Sequence, residues 1–368
     1  MGEGVLTAGG VRLARIAEAV GTPVYVYSAE VIRAQYAALD RALAPVPHRI
    51  CYSVKANGNI AILRLLHELG AGVDIVSSGE LARSLAAGFT GADVVFSGVG
   101  KTADEMAAAL DARVGMINIE SEEELSLLAG LAHGSGRVAP VAIRVNPEVL
   151  VDVHPYTATG VKGKKFGIPY DEAEALALRA KRTPGLKLVG IAMHIGSGLK
   201  DAAPFVEAVV KVLELVDSVR KSGANDLANL DLGGGLGIRY RESDAPPLDV
   251  QSYADAILPH VAASRLRLVV EPGRFIVGNA GTLLTRVLYR KRSGGKMIAV
   301  IDAGMNDLIR PSHYQAYHEI VVDTGESRPV VTYDVVGPIC ESGDFFALDR
   351  ELPELAQGDL LAVNGTGA

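Results

Sequence analysis

The sequence predicts a (β/α)8 barrel followed by a mostly β domain. Eight short, nearly continuous apolar runs alternate with alanine- and leucine-rich stretches, a pattern typical of parallel strands that are covered on both faces. Eight such βα units without a sustained repeat motif favour a closed barrel of about 250 residues, with a doubly wound sheet as the alternative. The predicted strands are residues 50–55, 73–76, 94–97, 116–119, 138–145, 186–193, 230–232 and 268–270.

Helix-start signals follow three of these strands. In each, a serine or threonine precedes a glutamate by three residues, the spacing at which the two side chains can bond to each other's backbone N–H groups. We therefore expect a helix to begin after each of the three strands, as a barrel requires. The pairs are Ser77 with Glu80, Thr102 with Glu105 and Ser121 with Glu124.

The pattern changes from Gly281 onward, where short strands follow one another with turns and little helix. We expect a second, mostly β domain that begins near residue 276. Its predicted strands are residues 282–289, 297–301, 320–322, 329–335 and 360–363.

The composition argues against several classes of protein. Hydrophobic residues make up 49% of the 368 residues, and a net charge of −7 disfavours a nucleic-acid-binding surface. The two cysteines, Cys51 and Cys340, cannot form a disulfide framework and are expected to be reduced. No apolar stretch reaches the ~20 residues that span a bilayer, and residues 1–10 lack the features of a signal peptide. We expect a soluble cytoplasmic protein that binds neither nucleic acid nor a membrane.

One connection is long for a compact domain. Residues 154–167, HPYTATGVKGKKFG, contain three glycines and three lysines without periodicity. Loops of this length are usually functional lids or disordered segments. We expect this segment to be a lid over a ligand site.

Chemically active side chains collect at the predicted carboxyl ends of the strands, where barrels of this kind place their active sites. Each has an ordinary explanation when taken alone, such as a surface lysine, a core histidine, a packing turn or a surface ion pair. Their joint occurrence at one end of a barrel favours a functional site. The residues are Lys55, Asp74, Ser97, Asn118, Arg144, His194, Asp231, the glycines at 233–235, and Glu271.

Four of these parts match the needs of an aldehyde cofactor that carries a phosphate. Lys55, in YSVKAN, can form an imine once desolvation lowers its pKa. The glycines of DLGGGLGI, which lacks the GK[ST] of a Walker motif, let backbone amides approach an anion. Glu271, in VEPGR, can keep a ring nitrogen protonated, and His194 can stack on the ring. This combination describes pyridoxal 5′-phosphate and requires no metal.

The chain resembles the fold-type III pyridoxal-phosphate-dependent decarboxylases, which have an alanine-racemase-like barrel. The resemblance runs from about residue 24 to residue 368 and implies a barrel domain of residues 28–275. Residues 1–27 would then join residues 276–368 in the β domain, and the protein would be a homodimer with shared active sites. Seven motifs carry the resemblance in order: YSVKAN, HPYTATGVKGKKFGI, HIGSG, DLGGGLGI, EPGR, DAGMNDLIRPSHYQAYHEI and GPICESGD.

The resemblance also implies roles for individual residues around the cofactor. Lys55 would form the imine, His194 would stack on the ring, and Glu271 would pair with the ring nitrogen. The other cofactor-binding residues, most of them at the phosphate, would be Asp74, Ser197, Gly234, Gly235, Gly273 and Arg274.

For the substrate, the resemblance implies two further groups of residues. Arg274, Arg310 and Tyr314 would hold its distal carboxylate, and Glu341 would hold its distal ammonium. Cys340 would act at the reacting carbon and would come from the second subunit. The family continues beyond NGTGA with a tyrosine that contacts phosphate and substrate, so we expect those contacts to require residues outside this sequence.

A base and an acid for the far end of the substrate fit meso-2,6-diaminopimelate, which carries an amine and a carboxylate at each end. The implied reaction is its decarboxylation to L-lysine and CO2, the last step of lysine biosynthesis. One alternative is a decarboxylase of another basic amino acid, which would differ chiefly at Arg310, Tyr314 and Glu341. A racemase-like enzyme would place an arginine where Glu271 stands. A non-catalytic relative would lack Lys55 or the active-site cysteine.

Overall fold

The computed structural model describes residues 6–151, 159–160, 163–323 and 327–368 of the chain. The chain divides into two units, which we call the barrel unit and the sheet unit. The sequence predicts boundaries after residues 27 and 275, whereas the units change at residues 32 and 276. The barrel unit is Arg33–Gly237 with Pro246–Ile276, and the sheet unit is Met1–Ile32, Ile238–Ala245 and Val277–Ala368.

Eight parallel strands in the described part of the barrel unit close into a barrel. Each strand pairs with the next along the chain, and the eighth pairs with the first, with Leu268 opposite His48. The closed barrel confirms the predicted fold class and excludes the doubly wound sheet, whose outer strands would each lack a neighbour. The strands are His48–Ser53, Gly72–Ile75, Val94–Phe96, Met116–Ile119, Ala139–Arg144, Leu186–Ala192, Asn229–Asp231 and Arg267–Val270.

Helices alternate with these strands as the fold requires. Ala29–Leu43 precedes the first strand, and the short helix Arg274–Val277 follows the last. Each of the first seven strands is followed by one of the helices Ile60–Glu68, Ser78–Ala86, Ala103–Ala112, Glu122–Gly134, Tyr170–Arg182, Ala203–Lys221 and Val250–Ser264.

The predicted helix-start signals all cap a helix, but only one forms the reciprocal pair. Thr102 Oγ1 accepts from the N–H of Glu105, whose Oε2 accepts from the N–H of Thr102 (3.0 Å). In the other two pairs, the serine caps the helix, but the glutamate accepts a hydrogen bond from the N–H of the residue before that serine. Glu124, for example, accepts from the N–H of Glu120 (2.8 Å). That N–H directly follows a buried strand and needs an acceptor.

Apolar side chains fill the interior of the barrel below its carboxyl end. One buried cluster draws on six strands and consists of Cys51, Val95, Met116, Ala142, Ala192 and Val269. Because side chains alternate along a strand, the residues two positions further on face the same interior. Ser53 follows Cys51 in this way and Asn118 follows Met116, and both are buried. The apolar interior therefore gives way to polar side chains at one end of the barrel.

The sheet unit is built on a seven-stranded sheet. Lys296–Ile301 and Val330–Val336 run parallel, and the other neighbours are antiparallel. Across the sheet the strands are Ile320–Val322, Leu360–Asn364, Gly281–Ser293, Lys296–Ile301, Val330–Val336 and Phe345–Pro353, and Val24–Tyr27 also pairs with Gly281–Ser293.

The remaining described elements of the sheet unit are short, and its core lies on the sheet. Two helices, Leu13–Val20 and Arg310–Tyr314, accompany the small strand pair Thr7–Ala8 and Val11–Arg12. The largest buried cluster of the unit includes Leu283, Ile301, Tyr333, Phe346 and Leu361.

Two strands of the seven-stranded sheet, Val24–Tyr27 and Phe345–Pro353, are absent from the sequence prediction. In the second, the pairing of Tyr333 with Arg350 and of Val335 with Ala347 leaves one extra residue on the later strand. Asp349 there has φ +48°, in the left-handed region. Such a bulge breaks the two-residue alternation on which a strand prediction depends.

Half of the predicted lid, residues 154–158 and 161–162, lies outside the described residues. Directly after residues 154–167, Ile168 forms a bridge with Val145, which follows the fifth barrel strand. Within the described ranges, no helix combines the length and the apolar character needed to cross a membrane.

Candidate active site

Lys55 lies just beyond the first barrel strand. The strand pairs with its neighbour as far as Ser53, opposite Asp74, and a single turn of 3-10 helix, Val54–Ala56, then carries the lysine. The predicted strand reached Lys55, and that part of the prediction is wrong because the ladder offers no further partner. The turn brings Lys55 Nζ back to the strand end, 2.6 Å from Asp74 Oδ2 and 3.4 Å from Ser53 Oγ.

The charged form of the Lys55 amine is stabilised by carboxylates. Burial of the amine acts to lower its pKa, but Asp74 and Glu271 outweigh this effect, and the pKa of Lys55 is raised. The lowered pKa predicted from the sequence is wrong, because the Lys55 amine has two acidic neighbours. Half of the Lys55 side chain is still exposed, so a ligand can reach it, whereas Asp74 is fully buried.

Three carboxyl groups from different strands are buried at this end of the barrel, those of Asp74, Asp231 and Glu271. Burial, with the Asp231 and Asp74 carboxylates, raises the pKa of Glu271 well above its usual range. Burial also raises the pKa of Asp231 to about 6, and the Asp231 and Glu271 side chains are hydrogen-bonded to each other. Burial therefore favours the protonated form of the Glu271 carboxyl group. Asp74 Oδ1 is buried without a hydrogen-bond partner among the described residues.

Ser97 and Asn118 hold these acids in place. Asn118 Nδ2 donates to Ser97 Oγ (3.0 Å) and to Asp231 Oδ2 (3.2 Å), and Ser97 Oγ donates to Glu271 Oε1 (3.2 Å). Ser97, Asn118 and Asp231 are predicted from the sequence to lie at strand ends, without a role of their own. The signal was their position, because Ser97 and Asn118 each follow an inward-facing apolar residue by two positions.

His194 stands two residues after the sixth strand and is neutral. The N–H of Gly234 donates to its Nδ1 (3.2 Å), so the ring proton is on Nε2. Burial, together with the positive charges of Arg144 and Lys55, lowers the pKa of His194 to about 3. An uncharged imidazole is thus held beside the glycine turn.

The glycines form a narrow cradle with the turn after His194. Gly235 has φ +124°, and its carbonyl accepts from the N–H of Gly198 (2.9 Å), which joins the two turns. A Cβ at Gly234 would lie 2.4 Å from a backbone carbonyl oxygen, so no larger residue fits there. A Cβ at Gly198 would lie 3.7 Å from Arg274 Nη1, so the guanidinium borders the turn, in which Ser197 is partly exposed. The cradle therefore combines close backbone approach with a cation.

The EPGR turn packs on the turn that carries Lys55. A Cβ at Gly273 would lie 3.0 Å from the Cβ of Ala56 and 3.1 Å from the Cβ of Ser53. The absence of a side chain at Gly273 is therefore what allows the eighth strand end to approach the lysine.

A buried ion pair links further loops around this end of the barrel. Arg144 Nη1 donates to Glu120 Oε1 (2.7 Å), and its guanidinium lies 5.2 Å from the centroid of Phe166. Glu120 also accepts from the N–H groups of Gly98 (3.1 Å) and Gly167 (3.0 Å). The sequence analysis placed Arg144 at a strand end and overlooked Glu120, which directly follows the fourth strand.

The remaining predicted site residues belong to the sheet unit. Arg310 and Tyr314 begin and end one short helix, with the guanidinium 5.6 Å from the tyrosine ring centroid. Cys340 and Glu341 are exposed in the loop before Phe345–Pro353. Asp344, which the sequence analysis missed, shapes that loop by accepting from the N–H groups of Met305 (2.6 Å) and Ile339 (2.7 Å).

The structure thus divides the predicted site residues into two groups. The described part of the chain shows no cluster of three or more His, Cys, Asp or Glu side chains that could hold a metal ion. The sheet unit carries Arg310, Tyr314, Cys340 and Glu341, and the barrel unit carries Lys55, Asp74, His194, Ser197, Gly234, Gly235, Glu271, Gly273 and Arg274.

Comparison with known proteins gives the family. The family described as "Pyridoxal-dependent decarboxylase, pyridoxal binding domain" matches residues 29–278. The chain belongs to the pyridoxal-dependent decarboxylases. It is 52% identical to a diaminopimelate decarboxylase of Pseudomonas aeruginosa, over 99% of this chain and 86% of that one. It is 49% identical to the Pseudomonas fluorescens diaminopimelate decarboxylase, over 99% of this chain and 87% of that one.

A solved structure is similar over nearly the whole chain. The diaminopimelate decarboxylase of Helicobacter pylori complexed with L-lysine has a TM-score of 0.92 and 40% identity and covers 96% of this chain and 88% of its own. The predicted family, the enzyme class of pyridoxal-phosphate-dependent amino-acid decarboxylase and the cofactor are thus confirmed.

The residues of the barrel unit fit pyridoxal phosphate. The glycine turns would be filled by a Cβ, so they leave room for a phosphate close to the backbone. Lys55 supplies an accessible amine, and Glu271 supplies a buried carboxyl group whose pKa is raised. The orphaned Asp74 Oδ1 offers a further buried acceptor. An anion cradle, an amine and a buried acid are the three parts that this cofactor needs from a protein.

Proposed function

We propose that this chain is a cytoplasmic enzyme that decarboxylates meso-2,6-diaminopimelate to L-lysine and CO2, the last step of lysine biosynthesis. The observation that carries the proposal is the meeting of Lys55, buried acids and a glycine cradle at one end of the barrel. The choice of substrate is supported by relatives at 52% and 49% identity that are named diaminopimelate decarboxylases.

The side chains of the barrel unit have distinct tasks. Pyridoxal phosphate, when bound, supplies a conjugated ring that takes up the electron pair left behind by the departing CO2. Lys55 is the covalent anchor. Glu271, whose pKa is raised by burial and by the Asp231 and Asp74 carboxylates, would pair with the ring nitrogen. His194, uncharged because burial lowers its pKa, offers a flat face for stacking.

The phosphate site is assigned to the cradle. Ser197, Gly234, Gly235 and the EPGR turn with Gly273 would bind the phosphate through hydroxyl and backbone N–H groups. Arg274 adds a guanidinium at the edge of this cradle, from which it can also face a substrate carboxylate. Asp74, which holds the Lys55 amine at 2.6 Å, keeps that amine directed to the strand end.

Recognition of the far end of the substrate is assigned to the sheet unit. Arg310 and Tyr314 would bind the distal carboxylate, and Glu341 would accept from the distal ammonium. The Cys340 thiol would return a proton to the carbon that has lost CO2. A decarboxylase of ornithine would gain nothing from Arg310, because its substrate has no distal carboxylate.

The proposal is tested by substrate comparison with the purified, cofactor-loaded enzyme. CO2 release and L-lysine formation are measured with meso-diaminopimelate and, as controls, with ornithine, arginine and L-lysine. We expect turnover of diaminopimelate alone, and its loss in Lys55→Ala. Preferred turnover of ornithine or arginine would contradict the assigned substrate, and no CO2 from any of them would contradict the assigned activity.

We also propose that the enzyme is a homodimer in which Cys340 completes the site of the partner subunit. The residues on which the reaction would depend lie in both units of the chain, and a closed two-fold dimer lets each chain complete the other's site. Lys55→Ala chains and Cys340→Ala chains are each expected to be nearly inactive.

Mixing the two variants tests this arrangement. Random exchange makes about half of the dimers mixed, and each mixed dimer has one intact site, so activity should recover to roughly a quarter of wild type. If exchange is verified by mass spectrometry and activity stays at the level of the separate variants, the site is not shared between subunits.

A further inference from the structure

His318 is a fully buried histidine of the sheet unit to which the proposed function gives no task. Its ring lies between Arg310 and the last strand, Leu360–Asn364. Arg310 Nε lies 3.3 Å from His318 Nε2, and His318 Nδ1 lies 3.0 Å from the carbonyl oxygen of Asn364. The ring of Tyr240 meets the imidazole edge-on, with 5.3 Å between centroids.

These contacts fix the protonation of the ring. An arginine Nε only donates hydrogen bonds, so His318 Nε2 must be the unprotonated acceptor. The proton is then on Nδ1, from which it is donated to the Asn364 carbonyl. His318 therefore connects a strand carbonyl to a guanidinium through one defined tautomer, and both ring nitrogens are used.

The far end of this connection is rigidly held. The N–H of Asn364 donates to the carbonyl of Glu319 (2.8 Å), and Asn364 Oδ1 accepts from Thr282 Oγ1 (3.1 Å). Asn364 also pairs with Thr282 in the sheet. The position of the His318 ring is thus set by the sheet.

The near end of this connection is the guanidinium of Arg310. The Arg310 guanidinium lies 5.2 Å from the ring centroid of Tyr240 and 5.6 Å from that of Tyr314. Cation–π contacts of this kind fix the distance of a charge from a ring but not its rotation. A bidentate bond to a carboxylate requires that rotation to be fixed, because the guanidinium fork is planar. A hydrogen bond to Nε supplies this constraint.

We propose that His318 is a positioning residue, which orients the Arg310 guanidinium for the distal carboxylate of the amino-acid substrate. The inference rests on the proposed function, which assigns that carboxylate to Arg310. It adds a specificity determinant that does not itself contact the substrate.

Two substitutions of similar size separate the contacts of His318. His318→Gln places an acceptor oxygen near the position of Nε2 and can keep the bond to Arg310. His318→Asn places a donor near the position of Nδ1 and can keep the bond to Asn364, but it loses the acceptor for Arg310. Both variants remove the ring, so a purely structural role would affect them alike. Thermal unfolding of both variants checks that they are folded.

The readout is a pair of ligands that differ only in the carboxylate. L-lysine and 1,5-diaminopentane are measured as competitive inhibitors of the cofactor-loaded enzyme. In His318→Asn the inhibition constant of L-lysine should rise about tenfold, equivalent to about 1.4 kcal/mol. The inhibition constant of diaminopentane should stay within about twofold of its wild-type value. In the same variant, the KM for diaminopimelate should rise by a similar factor as the inhibition constant of L-lysine, while kcat changes less. His318→Gln should stay within about threefold of wild type for both ligands.

Equal effects of His318→Asn and His318→Gln, or equal losses for both ligands, would overturn the positioning role. Arg310→Gln is measured alongside. If Arg310→Gln leaves L-lysine binding unchanged, the assignment of Arg310 in the proposed function fails. If Arg310→Gln weakens L-lysine binding and His318→Asn does not, the positioning inference alone fails.

A measurement without substitution covers the case in which the variants do not fold. In wild-type enzyme labelled with 15N-histidine, the Nε2 signal of His318 should move when L-lysine binds and stay in place with diaminopentane. An Nε2 signal that is unaffected by saturating L-lysine would overturn the inference.

Discussion

Replacing His194 should remove a defined part of the acid sensitivity of the barrel unit. Burial and the neighbouring charges of Arg144 and Lys55 lower the pKa of His194 from 6.5 to about 3. The unfolded chain takes up a proton near the higher value and the folded chain only near the lower one. Between these values the unfolded state binds more protons, so the free energy of unfolding falls as the pH falls.

The size of this effect follows from the two pKa values. At pH 5 an unfolded histidine is almost fully protonated and His194 in the folded chain is almost fully neutral. The linkage relation then gives a loss of about 2 kcal/mol between pH 7.5 and pH 5. His194→Asn removes the titrating group, so its free energy of unfolding should depend less on pH by that amount.

The assay is urea unfolding of the cofactor-free protein at the two pH values, followed by amide signals of the barrel unit. His133→Asn, at an exposed histidine, is the matched control for the substitution itself. In the wild-type protein, the signal of the His194 ring is identified by its absence from His194→Asn. This signal should show no titration above about pH 5. A ring that titrates near 6.5, or a variant with unchanged pH dependence, would refute the burial argument.

Three further predictions concern the same end of the barrel. Asp74→Asn should lower the pKa of Lys55, because a carboxylate 2.6 Å from Nζ is lost, and the pH midpoint for amine modification should shift down. Borohydride reduction should attach the cofactor to Lys55 in peptide maps; an adduct at Lys164 would contradict the assignment. Gly234→Ala should cost about 1–3 kcal/mol of stability and weaken cofactor binding, because the new Cβ would lie 2.4 Å from a backbone carbonyl oxygen. The control Gly100→Ala, whose Cβ would lie in open space, should change neither the stability nor the cofactor binding.

The fold was predictable because its signals are periodic. Buried parallel strands give continuous apolar runs, and eight of them with intervening helices leave few architectures. The sheet unit was less predictable, because its pattern is broken locally. In Phe345–Pro353 the bulge at Asp349 shifts the side chains from one face to the other, so that strand was overlooked.

The site was predictable as a set of strand ends, but not as a network. The sequence placed Ser97, Asn118 and Asp231 at the mouth of the barrel, yet their hydrogen bonds depend on which strands are neighbours in space. The pKa of Lys55 was expected with the wrong sign, because that sign depends on the distance to Asp74. His318 resembles any core histidine until its hydrogen bonds with Arg310 and Asn364 are known.

The buried pair of Glu120 and Arg144 has a consequence for the kinetics of folding. Glu120 bonds to groups that are 22, 24 and 47 residues away in sequence, those of Gly98, Arg144 and Gly167. Each of these bonds joins segments that are separated in sequence, and closing the intervening chain costs conformational entropy. Interactions that form late slow unfolding far more than they speed folding. We expect loss of the Glu120 carboxylate to speed unfolding of the barrel more than it slows folding.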